Sequence, residues 1–129
     1  MAEITAKTGG PYLWTDGSSW VGESAPDSDD TFVIPAGCEM WATSFSEMET
    51  AGGSVSGTLY INIEFDNFTV NGELEINDGG LVITNAWYTC LSAKLMTIHD
   101  GGEARARDGI IGGGRVIIES GGLLSAVDE

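Results

Sequence analysis

Positive charge is scarce in this chain, which has five Lys and Arg residues against 20 Asp and Glu and a net charge of −15 at pH 7. Proteins that bind nucleic acid need a basic surface to neutralise phosphates, so this composition argues against a nucleic-acid partner. Long apolar runs are also missing, because no stretch approaches the roughly 20 apolar residues of a membrane span. Residues 1–7 lack the basic segment and apolar run that begin a secretory signal. We therefore expect a protein made in a cytoplasm, which stays there or leaves inside a larger assembly.

Cysteine and histidine are rare as well. The two cysteines, Cys38 and Cys90, are too few for a disulfide framework, and they stand beside one histidine, His99. No two cysteines have the spacing of a metal site. We therefore expect both thiols to be free and mostly buried, with no bound metal and no cofactor.

Glycine, in contrast, is abundant and periodic. Three heptapeptides share one pattern of an apolar residue, any residue, Ile, a polar residue, Asp or Ser, and two glycines: Leu74–Gly80, Met96–Gly102 and Val116–Gly122. Weaker echoes extend the series to glycines 37, 57, 79, 101 and 121, in steps of 20, 22, 22 and 20 residues. A fixed period of about 20 residues is too short for paired helices and indicates a stack of small repeated units.

Each repeat has the composition of short strands joined at glycine corners. Apolar residues stand two positions apart on both sides of the corner 77–80, as in strands with one buried face, so we expect four side chains to point into one interior: Leu74, Ile76, Leu81 and Ile83. We predict an all-β fold, a short single-stranded parallel β-solenoid of about five coils. An antiparallel β-sandwich or jelly roll is the alternative, because short strands at regular spacing are typical of those folds too.

The two ends of such a solenoid differ in this sequence. Residues 1–31 are expected to form an N-terminal cap and residues 32–129 the coils, in a single domain. The cap is predicted from large apolar side chains that can cover the first coil: Tyr12, Leu13, Trp14, Trp20 and Val21. No helix or aromatic cluster follows Gly122, so we expect the last coil to stand open in a lone monomer, and either the C-terminus to fold back over it or another chain to cover it.

The few cations are concentrated near that open end. Residues 1–93 contain 14 acids and one lysine, a net of −13, whereas residues 94–129 contain six acids and four bases, a net of −2. We expect a partner-binding surface formed by these bases and the last apolar strand: Lys94, Arg105, Arg107, Arg115, Leu123 and Leu124.

Charged residues in Glu103–Arg107 occupy positions where the preceding coil has Leu81–Ile83. We expect this strand to be shifted by one residue, so that Ala104 and Ala106 face the interior and the charges face outward.

The remaining polar and aromatic residues do not indicate an active site. Asp78, Asp100 and Ser120 are expected in a vertical row at equivalent corners, where Asp before Gly is a turn former. His99 is expected at the surface. Four aromatic residues are candidates for stacking on sugars, although burial explains them equally well: Trp41, Tyr60, Trp87 and Tyr88. We therefore expect no enzyme activity and no catalytic or cofactor-binding residues.

Residues 14–37 resemble the opening of bacterial and phage β-solenoids. The pattern consists of Trp14, then Trp20 followed by Val and Gly, then Pro26 and an acidic turn, and finally the strand Phe32–Gly37. G8-type domains and some adhesin-like repeat proteins begin in a similar way. The resemblance implies a solenoid fold and no particular function.

The overall profile is similar to that of the small decoration or cement proteins of tailed-phage capsids. That resemblance implies a structural virion protein on the capsid exterior, assembled in the host cytoplasm. Its expected partners are its own copies, most often in a trimer, and the major capsid protein of the head that it stabilises. The alternative function is a carbohydrate-binding or host-attachment module that uses Trp41, Trp87 and Tyr88.

Overall fold

The structure, a computed structural model, describes residues 2–86 and 88–126. These residues contain one short 3₁₀ helix, Gly17–Ser19, and thirteen strands. In chain order the strands are β1 (Glu3–Thr5), β2 (Gly9–Leu13), β3 (Thr31–Ile34), β4 (Cys38–Thr43), β5 (Met48–Thr50), β6 (Gly52–Val55), β7 (Thr58–Asn62), β8 (Asn67–Ile76), β9 (Leu81–Thr84), β10 (Cys90–Ile98), β11 (Glu103–Ala106), β12 (Ile110–Ile118) and β13 (Leu123–Ala126). Within the described residues, no helix is long and apolar enough to cross a bilayer.

The strands form two parallel sheets. Sheet 1 has the order β1-β3-β6-β8-β10-β12, with β5 also paired to β8, and sheet 2 has the order β2-β4-β7-β9-β11-β13. Each turn of the chain contributes to both sheets before the next turn stacks on it. The chain is therefore a parallel β-solenoid of about five turns, as predicted, and not an antiparallel sandwich.

The isoleucines of the repeated heptapeptide stack in one column inside the solenoid. Ile98 pairs with Ile76 on one side and with Ile118 on the other, and Val55 and Ile34 continue the column toward the N-terminus. Ile34, Val55, Ile76 and Ile98 are fully buried. Burial of one such side chain contributes about 1.5–3 kcal/mol, so each coil is stabilised mainly by its neighbours above and below.

The corners between the two sheets explain the glycine period. Gly79, Gly101 and Gly121 have φ angles of +80°, +83° and +88°, a left-handed conformation that favours glycine. Gly37, with φ +83°, occupies the same corner in an earlier coil. Gly57 does not belong to this row, because Thr58 pairs with Leu81 and so places Gly57 beside Gly80. The corner 56–57 is two residues shorter than the corner 77–80, which the spacing alone did not reveal.

Sheet 2 corrects the predicted orientation of two side chains. Val82 is fully buried between Leu59 and Ala104, its partners in the neighbouring strands, whereas Leu81 and Ile83 alternate with it and face away from this interior column, although Ile83 is still only 4% exposed. The run Leu81–Ile83 is apolar at three successive positions, so polarity did not fix which face is inside. The corner length fixes it instead.

The predicted one-residue shift of strand β11 is wrong. Glu103 lies opposite Leu81 and Ala104 opposite Val82, so the pairing with β9 is continuous. Ala104 does face the interior and is fully buried, because Val82 below it already faces inward. Ala106 lies at the next inward position but is only partly buried.

Two tryptophans cover the interior at the N-terminal end. The Trp14 ring makes edge-on contacts with Trp20, Phe32 and Phe68, with centroids 4.8, 4.9 and 5.3 Å away. Trp20 Nε1 donates a hydrogen bond of 2.9 Å to the Trp14 carbonyl oxygen. Trp20 also bridges Ala6 in antiparallel fashion, which covers the outer edge near β1. The first level of the solenoid is therefore closed by its own chain.

Both cysteines are free, and Cys38 is buried while Cys90 is half-buried. Burial raises the pKa of the Cys38 thiol to about 11, so this side chain behaves as a small apolar core residue.

Candidate functional site

The opposite end of the solenoid exposes side chains that every earlier coil buries. Val116, Ile118 and Leu124 lie at the top of three inward-facing columns and are 37, 48 and 40% exposed. The residues directly below them, Met96, Ile98 and Ala104, are all 0% exposed. Within the described residues, strands β12 and β13 are also the last of each sheet, so one edge of each has no strand beside it. We call this surface, formed by Val116, Ile118 and Leu124 with the neighbouring Leu123, the open end.

Two of the predicted cations lie beside the open end on sheet 1. Lys94 occupies an irregularity in β10 between Ala93 and Leu95, and Arg115 lies opposite Leu95 in β12. Both side chains belong to exposed residues. They add positive charge to the rim of an apolar surface.

The other two cations are placed elsewhere. Arg105 lies on the outer face of sheet 2, where its Nε and Nη2 donate to the Glu103 carboxylate at 2.9 and 3.2 Å. Ser125 in β13 donates to the same carboxylate at 2.9 Å. The Arg105 hydrogen bonds, followed by that of Ser125, lower the pKa of Glu103. Arg107 follows β11 in the corner that leads back to sheet 1. The six predicted residues therefore surround the last two coils and do not form one compact patch.

His99 connects three levels of sheet 1 near the open end. Its Nδ1 lies 2.8 Å from Glu119 Oε1 and its Nε2 lies 3.3 Å from Glu75 Oε1. The hydrogen bond with Glu119 is the main cause that raises the pKa of His99, and the bond with Glu75 adds to it. The sequence predicted a surface histidine, and its register with Glu119 was the signal for this contact.

Trp41, one of the predicted sugar-stacking residues, is engaged within sheet 2. Its ring stacks on Tyr60 with centroids 4.2 Å apart and planes at 13°. Its Nε1 donates a hydrogen bond of 2.7 Å to Glu39 Oε2. Because one ring face is covered by Tyr60 and the polar atom is paired, Trp41 is poorly placed to hold a ligand.

A different set of aromatic residues is exposed. Phe45, Phe65 and Tyr88 are 104, 66 and 62% exposed, and each lies in the connection from a sheet 2 strand back to sheet 1. The Phe65 and Tyr88 rings stack with centroids 5.4 Å apart and planes at 28°. We call these three residues the aromatic edge. Trp87, also a predicted candidate, lies outside the described residues.

A shallow groove of about 310 Å³ lies on the outer face of sheet 1. Glu3, Glu73 and Glu75 line it together with Gly52. Thr97 Oγ1 donates to Glu73 at 2.9 Å, and His99 contacts Glu75, so two of these carboxylates already have protein partners. In the part of the chain that the structure describes, no group of three or more His, Cys, Asp or Glu side chains is arranged to hold a metal ion.

The predicted row of corner residues serves the stacking of the coils. The Asp78 carboxylate lies over Gly101, and the Asp100 carboxylate lies over Gly121, so that a Cβ on either glycine would collide with it. The Gly79 and Gly101 N–H groups donate to the carbonyl oxygens of Gly101 and Gly121. These contacts between successive coils account for the presence of Asp78 and Asp100 in the row.

Comparisons with known proteins identify no relative of this chain. No protein-family model, curated protein or solved structure matches the chain.

Proposed function

We propose that this chain is a non-enzymatic structural protein that decorates the outer surface of a tailed-phage head. In this proposal it acts as a homo-oligomer, with a trimer as the favoured count, and it stabilises the shell by binding the major capsid protein. It is assembled in the host cytoplasm and remains on the virion exterior.

The observation that carries the proposal is the open end. Exposed Val116, Ile118 and Leu124 lie directly above fully buried residues, so the solenoid presents the cross-section of its own core. A solenoid end of this kind requires a cap or a covering partner, because its strand edges and apolar side chains otherwise favour uncontrolled association. A partner that adds another layer pairs with the open strand edges and covers the exposed apolar side chains.

Charge favours an oriented contact. Arg115 and Lys94 lie at the rim of the open end, whereas residues 1–93 have a net charge of −13. An acidic body repels other acidic particles and keeps coated heads apart, while the less acidic end approaches its partner. Stable interfaces bury about 800 Å² on each side, so the contact is expected to include the rim as well as the apolar centre.

The experiment compares two Leu→Glu substitutions at opposite ends of the solenoid. Leu124→Glu places a charge in the open end, and Leu13→Glu is the matched control, since Leu13 is 55% exposed on β2. The molar mass of each variant in solution and its copy number on heads built from the major capsid protein of the same genome are measured. Leu124→Glu is expected to abolish head binding, because an unpaired charge cannot be buried in the contact. Leu13→Glu is expected to bind as the unsubstituted protein does.

Two results would refute the proposal. One is an unsubstituted protein that remains monomeric and does not bind heads at any concentration tested. The other is Leu124→Glu protein that folds normally and coats heads as fully as the control.

A further inference from the structure

The aromatic edge has a conformational feature that the opposite corners lack. Phe65 and Tyr88 have φ angles of +62° and +56°, in the left-handed region that disfavours bulky side chains. At the opposite corners the same region is occupied by glycine, as at Gly79 and Gly101. Among the described residues, Glu23 is the other non-glycine residue in this region, with φ +63° in an exposed turn. Phe65 and Tyr88 carry the same backbone cost with bulkier side chains, and strained residues of this kind cluster at ligand-binding and switch sites.

Exposure adds a second, independent observation. Of the aromatic residues that the structure describes, Phe45, Phe65 and Tyr88 are the exposed ones, and the other rings are buried or half-buried. All three lie on one edge, in the connections 44–47, 63–66 and 85–89 of successive coils. Phe65 and Tyr88 stack on each other, and Phe45 lies in the equivalent connection of the preceding coil, so the exposed rings form a strip along this edge.

The residues around the strip indicate the chemistry of its ligand. Glu64 and Asp66 flank Phe65, and Glu47 lies two residues after Phe45. Asp66 Oδ1 already accepts from the Asn67 N–H and Glu47 Oε2 from Thr69 Oγ1, so one oxygen of each of these two carboxylates is engaged within the protein. Carboxylates repel anionic ligands and accept hydrogen bonds from hydroxyl groups. The centres of protein–protein interfaces are depleted in Glu and Asp, so a flat protein surface fits this strip less well. A cage for a quaternary ammonium needs rings facing one point, whereas Phe65 and Tyr88 stack nearly parallel.

We propose that the aromatic edge binds a neutral polysaccharide, whose apolar ring faces lie on the aromatic side chains while its hydroxyl groups donate to the flanking carboxylates. This site is separate from the open end and does not depend on head binding. In this proposal Phe45 and Phe65, and not Trp41, contact the sugar rings together with Tyr88.

The test uses the full chain and a panel of immobilised neutral oligosaccharides built from glucose, galactose, mannose or N-acetylglucosamine. The informative variant is Phe65→Gly with Tyr88→Gly, because glycine keeps the left-handed backbone and removes both rings. Leu13→Ser is the control for loss of an exposed apolar side chain elsewhere. Binding by the unsubstituted protein and by Leu13→Ser is expected to be equal and insensitive to salt. The double variant is expected to bind about tenfold more weakly or not at all.

Three outcomes would overturn the proposal. The first is that no oligosaccharide of the panel binds the unsubstituted protein. The second is that the double variant, with an unchanged melting temperature, binds as well as the control. The third is that an oligolysine peptide binds instead, with an affinity that falls with salt and is lost in the double variant, which assigns the edge to a cationic partner. Head binding by the double variant is measured in parallel, so failure here is distinguishable from failure of the proposed decoration role.

Discussion

The open end makes a quantitative prediction about two isoleucines in the same column. Ile98 and Ile118 pair directly, yet Ile98 is 0% and Ile118 is 48% exposed. Replacing a fully buried Ile by Ala removes its transfer free energy and leaves a cavity, which together cost about 2–5 kcal/mol. Ile118 is already about half exposed, so its replacement loses only about half of the burial free energy of about 1.5–3 kcal/mol, and water fills the space that is left. The expected loss in the free energy of unfolding for Ile118→Ala is therefore about 1 kcal/mol.

Urea unfolding of the dilute protein measures the difference. With a slope of about 1–3 kcal/mol per M, Ile98→Ala is expected to lower the free energy of unfolding enough to shift the midpoint by about 1 M or more. Ile118→Ala is expected to shift the midpoint by only a few tenths of that amount. If self-association covers the open end, the cost of Ile118→Ala is expected to grow with protein concentration, because binding stabilises the folded state.

Equal destabilisation by the two substitutions in dilute protein would refute the reasoning. It would mean that Ile118 is buried in the isolated chain and that no partner is needed to cover the last coil.

Three further predictions concern the corners and His99. In thermal melts the Phe65→Gly protein is expected to be as stable as the Phe65→Ala protein, or up to about 1 kcal/mol more stable, because relief of the left-handed conformation outweighs the usual cost of glycine. A Phe65→Gly protein that is clearly less stable than Phe65→Ala would contradict the claim that the backbone is strained at this position. Gly101→Ala is expected to lower the free energy of unfolding by at least about 1–2 kcal/mol, because the φ of +83° disfavours alanine and its Cβ collides with Asp78. Gly112 has open space around it, so Gly112→Ala is expected to leave the free energy of unfolding nearly unchanged; chemical denaturation measures both variants. Because the pKa of His99 is raised in the folded state, its ion pairs make their full contribution to stability at pH values below the ordinary His pKa of 6.5. This contribution is lost as the pH rises through the folded-state pKa. The stability difference between unsubstituted protein and His99→Gln is therefore expected to shrink over that window, and a difference that grows with pH would show that the contacts with Glu75 and Glu119 are not ion pairs.

The solenoid and its main column could be predicted because two local signals agree. Glycine at the left-handed corners and Ile at a fixed offset before them impose the same period, and each has a direct physical cause in backbone conformation and burial. Ile76, Ile98 and Ile118 therefore lie in one column, as the heptapeptides predict.

The orientation of sheet 2 could not be predicted in the same way. Leu81–Ile83 is apolar at three successive positions, so these residues do not show which face is buried, and the corner length decides between the two faces. The contact of Arg105 with Glu103, in contrast, follows from period two along a strand. Once Ala104 is placed inside, the two charged residues on either side of it share the outer face.

The aromatic edge carries no clear sequence signal. Phe65 and Tyr88 adopt a conformation that bulky residues avoid, so local propensity predicts the opposite of what the structure has. The alignment of the exposed rings depends on the three connections that precede β5, β8 and β10, and each ring occupies a different position within its connection. Positions at which local preference fails in this way are expected to be functional or strained.

Hydrogen exchange of the protein bound to heads, compared with the free protein, tests the central claim most directly. The account predicts that binding slows exchange of the backbone amides of β12 and β13, with little change in the N-terminal residues 2–31, which include β1 and β2. Unchanged exchange in β12 and β13, or protection found mainly at the N-terminal end, would contradict the assignment of the open end as the docking surface.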